Sequence, residues 1–171
     1  KAAFPPSRIE LHGNAKSERE LRMALASGVG RIIVDGLMEL DVLAELADET
    51  GVRRDILLRV SPGVNPHTHA HITTGHKGSK FGLPVEGDLL ESAVKFALSR
   101  KSLCLKGFHF HIGSQIFDNE AHVESVARIV RVMKKLHGDL GFLTEELNFG
   151  GGFGARLHPN EPHVPLRLFT D

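Results

Sequence analysis

The chain has 171 residues, 41% of them hydrophobic, which suits one ordinary folded core and argues against intrinsic disorder. Lysine and arginine number 21, as do aspartate and glutamate, so nucleic acid is disfavoured as a partner. No apolar run approaches the roughly 20 residues of a membrane span, and the start lacks a signal-peptide pattern. The single cysteine, Cys104, excludes a disulfide framework and suits a reducing cytoplasm.

Strand and helix patterns alternate along the chain. The predicted strands are Arg8–His12, Arg31–Val34, Asp55–Val60, Lys106–His111 and Glu146–Phe149. Helices are predicted to begin at the Ser17/Glu20 capping box and near Leu37, Asp88 and Asn119. The apolar spacing from Val123 to Met133 predicts the buried face of the last helix. Five strands with helical crossovers indicate an α/β fold, a parallel sheet or barrel without an internal domain boundary.

The interval Ser61–Gly87 has no clear period, and four histidines crowd it: His67, His69, His71 and His76. Unpatterned loops of that length are uncommon and usually functional. The histidines resemble a metal tract, but no carboxylate or thiolate stands nearby, and structural zinc normally has four fixed ligands. We therefore predict no metal site.

In the strand before Ser114, alternate side chains face opposite sides. Phe108, Phe110 and Ile112 are predicted to face the helices, and His109 and His111 the other side, the lumen of a barrel. Ligands of parallel α/β folds bind where strands end, so His111 is a candidate ligand contact. A structural histidine bonded to a neighbouring strand is the alternative, and it is the favoured one for His109.

Arg59 follows the same alternation in the third predicted strand, where Leu57 and Arg59 share the face opposite to Ile56, Leu58 and Val60. An inward arginine near a strand end suits a phenolate, carboxylate or phosphate. An ion pair with Glu10 or Asp35 explains it equally well.

Gly150, Gly151 and Gly152 follow directly after the last predicted strand. Residues without a Cβ let backbone N–H groups approach an anion closely, and Ser114 could reach the same anion from the adjacent strand. Their spacing matches neither a dinucleotide fingerprint nor a P-loop. Lys16, in a turn, and Lys80, in the long loop, are poorly placed to be a Schiff-base lysine, which should project from a strand.

At these residues the chain resembles diaminopimelate decarboxylase. The matching blocks include the turn from His12 to Ser17, Lys80-Phe81-Gly82, the segment Gly107–Ser114 and the segment Asn148–Gly154. Within the last two blocks, the run from Phe110 to Ser114 and the three glycines Gly150, Gly151 and Gly152 are shared with the wider group of barrel-type, pyridoxal-phosphate-dependent amino-acid decarboxylases. The His67-Thr68-His69 block, followed by Thr74-Gly75, points to the diaminopimelate branch rather than to ornithine or arginine enzymes.

The resemblance implies a function and roles for individual residues. The cofactor is pyridoxal phosphate: His111 stacks on its pyridine ring, Ser114 and Gly150, Gly151 and Gly152 hold its phosphate, and Arg59 lies nearby. The reaction removes the carboxylate at the D-configured centre of meso-diaminopimelate, giving L-lysine and carbon dioxide. A cytoplasmic homodimer is implied, with Lys80 near its interface.

The resemblance also implies that the chain, residues 1–171, is the central part of a (β/α)8 TIM-type barrel domain. The family's Schiff-base lysine is expected upstream and its C-terminal β domain downstream, so we expect no catalytic residue here and no activity from the chain alone. Two other classes stay open: a cofactor-free, phosphate-binding sugar-phosphate isomerase with Asp35 as its base, and a metal-binding or scaffold module around the histidine loop.

Overall fold

A computed structural model describes residues 3–64, 81–160 and 164–169 of the chain. Its strands are β1 (Glu10–Leu11), β2 (Arg31–Val34), β3 (Arg54–Ser61), β4 (Leu83–Pro84), β5 (Leu103–His109) and β6 (Glu146–Asn148). Its α-helices are α1 (Glu18–Ser27), α2 (Leu37–Thr50), α3 (Leu89–Ser99) and α4 (Glu120–Leu140). Short 3-10 helices lie at Pro6–Arg8 and Leu166–Phe169. The alternation of strands and helices is as the sequence predicts.

The strands form one parallel sheet in the order β1-β2-β3-β5-β6. The two-residue β4 pairs with the end of β3, off this row. Sequence patterns missed β4 because two residues within a long unpatterned interval carry no periodicity. The prediction of about five parallel strands with crossover helices is confirmed for the main row.

The sheet is strongly curved. Four strand spacings, about 19 Å if the sheet were flat, separate β1 from β6. Yet Asn148 Nδ2 on β6 donates a hydrogen bond to Glu10 Oε2 on β1 at 3.1 Å. Similarly, Arg31 Nε on β2 lies 2.8 Å from Glu146 Oε2 on β6. Side chains can bridge these strands only across a concave face, so the sheet is part of a TIM-type barrel.

The two faces of the sheet carry the predicted side chains. The convex face packs on the helices, and its core includes Ile56, Leu58, Val60, Phe108 and Phe110. We call the concave side the lumen face; it carries buried Leu57, Arg59 and His109. The predicted alternation is therefore confirmed in β3 and β5.

Gly107 marks a bulge in β5, where the register to β3 shifts between Ile56 and Leu57. Its φ is +155°, and a Cβ there would lie 1.9 Å from Glu146 O, so only glycine fits beside β6. The shift lets leucines before the bulge and phenylalanines after it face the same helices.

The helix ends agree only partly with the sequence. Ser17 and Glu20 form the predicted capping box, and Gly28 and Gly51 end α1 and α2 in left-handed conformations. Asn119 precedes α4 as expected, but its side chain makes no capping bond and instead donates to Leu168 O at 2.9 Å. Within the described residues, no helix is long and apolar enough to cross a bilayer.

The buried face of α4 also differs from the prediction. Val126 and Met133 pack against the core, but Val123 is 60% exposed. The buried positions are Ala121, His122, Ser125, Ile129 and Leu136. The face is rotated because small and polar residues, which an apolar count passes over, lie against the sheet.

Candidate functional site

Four cationic or imidazole side chains gather where the strands end. Arg59 and His109 are paired in register at the ends of β3 and β5, His12 follows β1, and His111 lies two residues beyond β5. In parallel α/β folds this is the end at which ligands bind.

His12 and His109 face each other, with ring centroids 4.5 Å apart. His109 is 5% exposed, and its Nδ1 has no hydrogen-bond partner among the described residues. Burial is the main cause that lowers the pKa of His109 to about 3, and the charges of His12 and Arg59 add to it. The expectation that His109 is bonded to a neighbouring strand is thus not met at Nδ1. Burial, and then the charge of Arg59, also lower the pKa of His12, so both rings are neutral at pH 7.

His111 lies between the lumen face and the three glycines and is partly buried. The Gly151 N–H donates a long hydrogen bond of 3.4 Å to His111 Nδ1. Burial, and then the charge of Arg59, lower the pKa of His111. A neutral ring whose Nδ1 accepts carries its proton on Nε2.

Arg59 is paired with Asp35, which is one of the two ion-pair partners that the sequence offered. Arg59 Nη1 lies 2.7 Å from Asp35 Oδ1, and both side chains are largely buried. The guanidinium carbon stands 4.6 Å from the centre of the Phe81 ring, in cation–π geometry. The arginine is therefore held on two sides.

The glycines pack tightly on the loop after β5. A Cβ on Gly152 would lie 1.9 Å from Gly113 O, and one on Gly150 would lie 2.6 Å from Phe110 O. Both have positive φ, +93° and +69°. A Cβ on Gly151 would meet nothing within 4 Å. Two glycines thus permit close backbone approach, and the third borders open space.

Hydrogen bonds fasten this segment to the residues after Ser114. Ile116 N–H donates to Gly152 O at 2.9 Å, and Gly154 N–H donates to Ile116 O at 2.7 Å. Gln115 adds two bonds to Ala155, of 3.1 and 2.9 Å. Ser114 is exposed within this fastened loop. No helix follows the glycines within residues 153–160, so a helix dipole does not contribute there.

Asn148 is a site residue that the sequence reasoning missed. Its Oδ1 accepts from the Gly150 N–H at 2.9 Å, and its amide group donates to Glu10. The Gly150 amide is therefore occupied and the Gly151 amide makes the long contact to His111, so the Gly152 amide is available to a ligand, and the Gly151 amide is available if it gives up that contact. The signal was available, because asparagine two residues before a glycine favours such a turn.

Lys16 is not directed at the lumen. Its Nζ contacts Glu39 Oε1 at 2.7 Å, Gly13 O at 2.6 Å and Ile33 O at 2.7 Å. Lys80 and the histidine loop with His67, His69, His71 and His76 lie outside the described residues. Among residues 3–64, 81–160 and 164–169, no cluster of three or more metal-binding side chains is found.

Comparison with known proteins identifies the chain's relatives. The profile of the family "Pyridoxal-dependent decarboxylase, pyridoxal binding domain" matches residues 1–170. Diaminopimelate decarboxylase of Bacillus subtilis is 44% identical over 165 residues, 96% of this chain but 37% of that enzyme.

Solved structures show the same similarity. Diaminopimelate decarboxylase from M. jannaschii in co-complex with L-lysine superposes with a TM-score of 0.84 at 33% identity, over 96% of this chain and 38% of that one. The Helicobacter pylori enzyme complexed with L-lysine gives 0.83 at 31%, over 99% and 42%. The chain thus spans less than half the length of these relatives. It belongs to the family of pyridoxal-dependent decarboxylases.

Proposed function

We propose that this chain supplies part of the cofactor pocket of an enzyme that decarboxylates meso-diaminopimelate at its D-configured centre, giving L-lysine and carbon dioxide. Residues 1–171 would be the central part of its barrel domain. The similarity to diaminopimelate decarboxylases supports the reaction, and the structures with L-lysine bound support an amino-acid substrate. The observation that carries the proposal is the contact between Gly151 and His111 beside Arg59.

The residues fit pyridoxal phosphate, which combines a flat pyridine ring with a phosphate. His111 offers a flat, neutral ring for stacking, held by the Gly151 amide. Gly151 borders open space, where a phosphate oxygen could approach the Gly152 N–H group and could replace the long contact from the Gly151 N–H group to His111. The Ser114 hydroxyl is exposed in the adjoining loop and would donate a further hydrogen bond. When bound, the cofactor supplies the electron sink for decarboxylation.

Arg59 would give the pocket a fixed positive charge. Its pair with Asp35 uses Nη1, and guanidinium has five N–H donors in all. An anionic group of the cofactor or substrate near the lumen face would therefore find a cation already ordered by Asp35 and Phe81.

The covalent attachment of the cofactor is proposed to come from a lysine upstream of these residues. Lys16 already makes three short contacts and cannot leave them without stranding Glu39. We therefore propose that this chain binds and orients the cofactor without a catalytic residue of its own.

A cytoplasmic homodimer is the proposed form of the enzyme. The free cysteine Cys104 suits a reducing compartment. Met38 on α2 is 86% exposed and lies beside exposed Leu37 and Val42, an apolar surface that suits a subunit contact. Light scattering of the complete gene product should give twice the monomer mass.

The test of function uses the complete gene product with pyridoxal phosphate and meso-diaminopimelate. A visible absorption band of the bound cofactor and equimolar release of lysine and carbon dioxide are expected. Absence of both would refute the proposal. Carbon dioxide from ornithine or arginine, but not from diaminopimelate, would assign the enzyme to the other branch of decarboxylases.

The cofactor-free isomerase is less well supported. It requires Asp35 as a free carboxylate base at a strand end, but Asp35 is bound to Arg59 at 2.7 Å. A general base must be free to reach the proton it removes, and the Asp35 carboxylate is engaged by Arg59 instead.

A further inference from the structure

We propose that Lys16 and Glu39 are positioning residues that hold Asp35, and through it Arg59, at the lumen face. The inference rests on the proposed function, because an effect on cofactor affinity follows only if this chain forms part of the cofactor pocket. Among the described residues, neither side chain hydrogen-bonds an imidazole or one of the three glycines after β6, although, after burial and the charge of Arg59, the charge of Lys16 also lowers the pKa of His12. Their effect would pass from Lys16 to Glu39, from Glu39 to the Asp35 backbone, and from the Asp35 side chain to Arg59.

The first link joins two strand ends. Lys16 Nζ donates to Gly13 O, just after β1, and to Ile33 O in β2, at 2.6 and 2.7 Å. One ammonium group therefore fixes the ends of β1 and β2 relative to each other. The Lys16 side chain is only 3% exposed, so this is an interior cross-link rather than a surface contact.

Glu39 forms the second link. Its Oε1 accepts from Lys16 Nζ at 2.7 Å and from the Asp35 N–H at 3.3 Å. Burial raises the pKa of the Glu39 carboxyl, which shows that the interior disfavours its charge, although Lys16 opposes this shift. A buried pair of this kind contributes little net stability compared with apolar residues, which favours a role in fixing geometry.

The third step leaves the Asp35 carboxylate available to Arg59, because Glu39 bonds the backbone at the start of α2. α2 begins after Gly36, which has no side chain to cap it. Glu39, the third residue of α2, reaches back to the Asp35 backbone, much as the glutamate of a capping box does. Asp35 is therefore not needed as a cap, and its Oδ1 pairs with Arg59. The Asp35 backbone and side chain are thus held by different partners.

The last link fixes Arg59 among the imidazoles. Burial is the main cause that lowers the pKa values of His12, His109 and His111, and the charge of Arg59 lowers each of them further. If Glu39 loses its charge, Lys16 is left without a counter-ion, and the strand ends, Asp35 and Arg59 are expected to shift. A shift of Arg59 can be read at His111, because after burial the charge of Arg59 is the next cause that lowers the pKa of His111, ahead of the charge of His122.

The first experiment is a double-mutant cycle on pyridoxal phosphate affinity in the complete gene product. Glu39→Gln should raise Kd about tenfold, and Arg59→Lys at least as much. In the Arg59→Lys background, Glu39→Gln should add no more than about twofold, because its effect already passes through Arg59. Additive effects would overturn the inference, since a residue that only stabilises the fold acts independently of Arg59.

Glu146→Gln is the matched control. It removes a carboxylate bound to Arg31 at 2.8 Å, at the opposite end of the strands. Its cofactor Kd should stay within about twofold of the wild type. Equal losses for Glu39→Gln and Glu146→Gln would indicate general destabilisation and overturn the inference.

The second experiment needs no cofactor. Histidine-selective NMR titration should show the pKa of His111 rising toward its ordinary value in Glu39→Gln but not in Glu146→Gln. If Glu39→Gln does not fold, Glu39→Asp, which keeps the charge and shortens its reach, should show the same rise. An unchanged His111 titration in the folded variant would overturn the inference. Failure of the wild type to bind the cofactor would instead refute the proposed function.

Discussion

The two ends of the sheet differ in how their charges are satisfied. At the N-terminal end, Arg31 is bonded to Asp55 and Glu146, both at 2.8 Å, and Lys106 to Glu145 at 2.8 Å. At the C-terminal end, three imidazoles surround one paired arginine, and His109 Nδ1 has no partner within the described part of the chain. Buried atoms without a partner occur at both ends in the described part of the chain, but at the N-terminal end they are Arg54 Nε, Ser102 Oγ and Thr144 Oγ1, whereas His109 Nδ1 at the C-terminal end belongs to an imidazole beside the candidate site. The N-terminal end of the sheet therefore contributes mainly to stability, and the C-terminal end carries the candidate functional site.

Among substitutions at the C-terminal end, Gly152→Ala should cause the largest loss of cofactor affinity. Its Cβ would lie 1.9 Å from Gly113 O at a φ of +93°, so the backbone must move. Backbone strain of this kind costs about 1–3 kcal/mol, so we expect cofactor affinity, measured by equilibrium dialysis, to weaken by roughly ten- to a hundredfold.

Gly138→Ala is the control for this substitution. Gly138 lies within α4 with nothing within 4 Å of its Cβ position, so alanine should stabilise the helix by roughly 0.5–1 kcal/mol. Equal cofactor affinity in the two variants would contradict the assignment of the glycines.

Arg59→Met should lower the free energy of unfolding by about 3 kcal/mol, because it leaves the Asp35 carboxylate buried without a partner. At the opposite end, Lys106→Met removes a pair whose glutamate is 58% exposed and should cost far less, because water and salt screen the pair. Urea denaturation measures both. Similar losses would show that the two ends are equally dependent on their ion pairs.

The pH dependence of stability should reflect the neutral imidazoles. The pKa of His109 is about 3 in the fold and near 6.5 in the unfolded chain, so the unfolded chain binds a proton first as pH falls. The stability that neutral His109 provides is complete above pH 6.5 and is lost as pH falls toward 3.

His109→Asn should therefore flatten the decline of stability between those pH values, by at most about 1.4 kcal/mol per pH unit. Urea midpoints at half-unit intervals measure it. A variant that declines as steeply as the wild type would show that His109 is not the group responsible.

Asn148→Ala should have the smallest effect at the C-terminal end. It removes the acceptor for the Gly150 N–H and the donor to Glu10. One lost hydrogen bond of about 1 kcal/mol corresponds to roughly a fivefold weaker cofactor affinity. Asn148→Asp keeps the acceptor and should lose less, unless repulsion from Glu10 dominates. No change in either variant would remove Asn148 from the site.

Local patterns predicted the strands, the helices and the two faces of β3 and β5 because burial imposes a period on each element. They could not choose between Glu10 and Asp35 as the partner of Arg59, because that depends on curvature that brings distant strands together. Glu10 bonds instead to Asn148 across the lumen. The role of Lys16 was also invisible, since its partners Gly13, Ile33 and Glu39 meet only when β1, β2 and α2 are assembled.

The central claim is that the glycines after β6 and the loop after β5 hold the cofactor's phosphate. A crystal structure of the complete gene product with pyridoxal phosphate tests it most directly. We predict phosphate oxygens within hydrogen-bonding distance of the Gly151 and Gly152 amides and the Ser114 hydroxyl, with His111 against the pyridine ring. A phosphate bound elsewhere, with these amides facing solvent, would contradict the account.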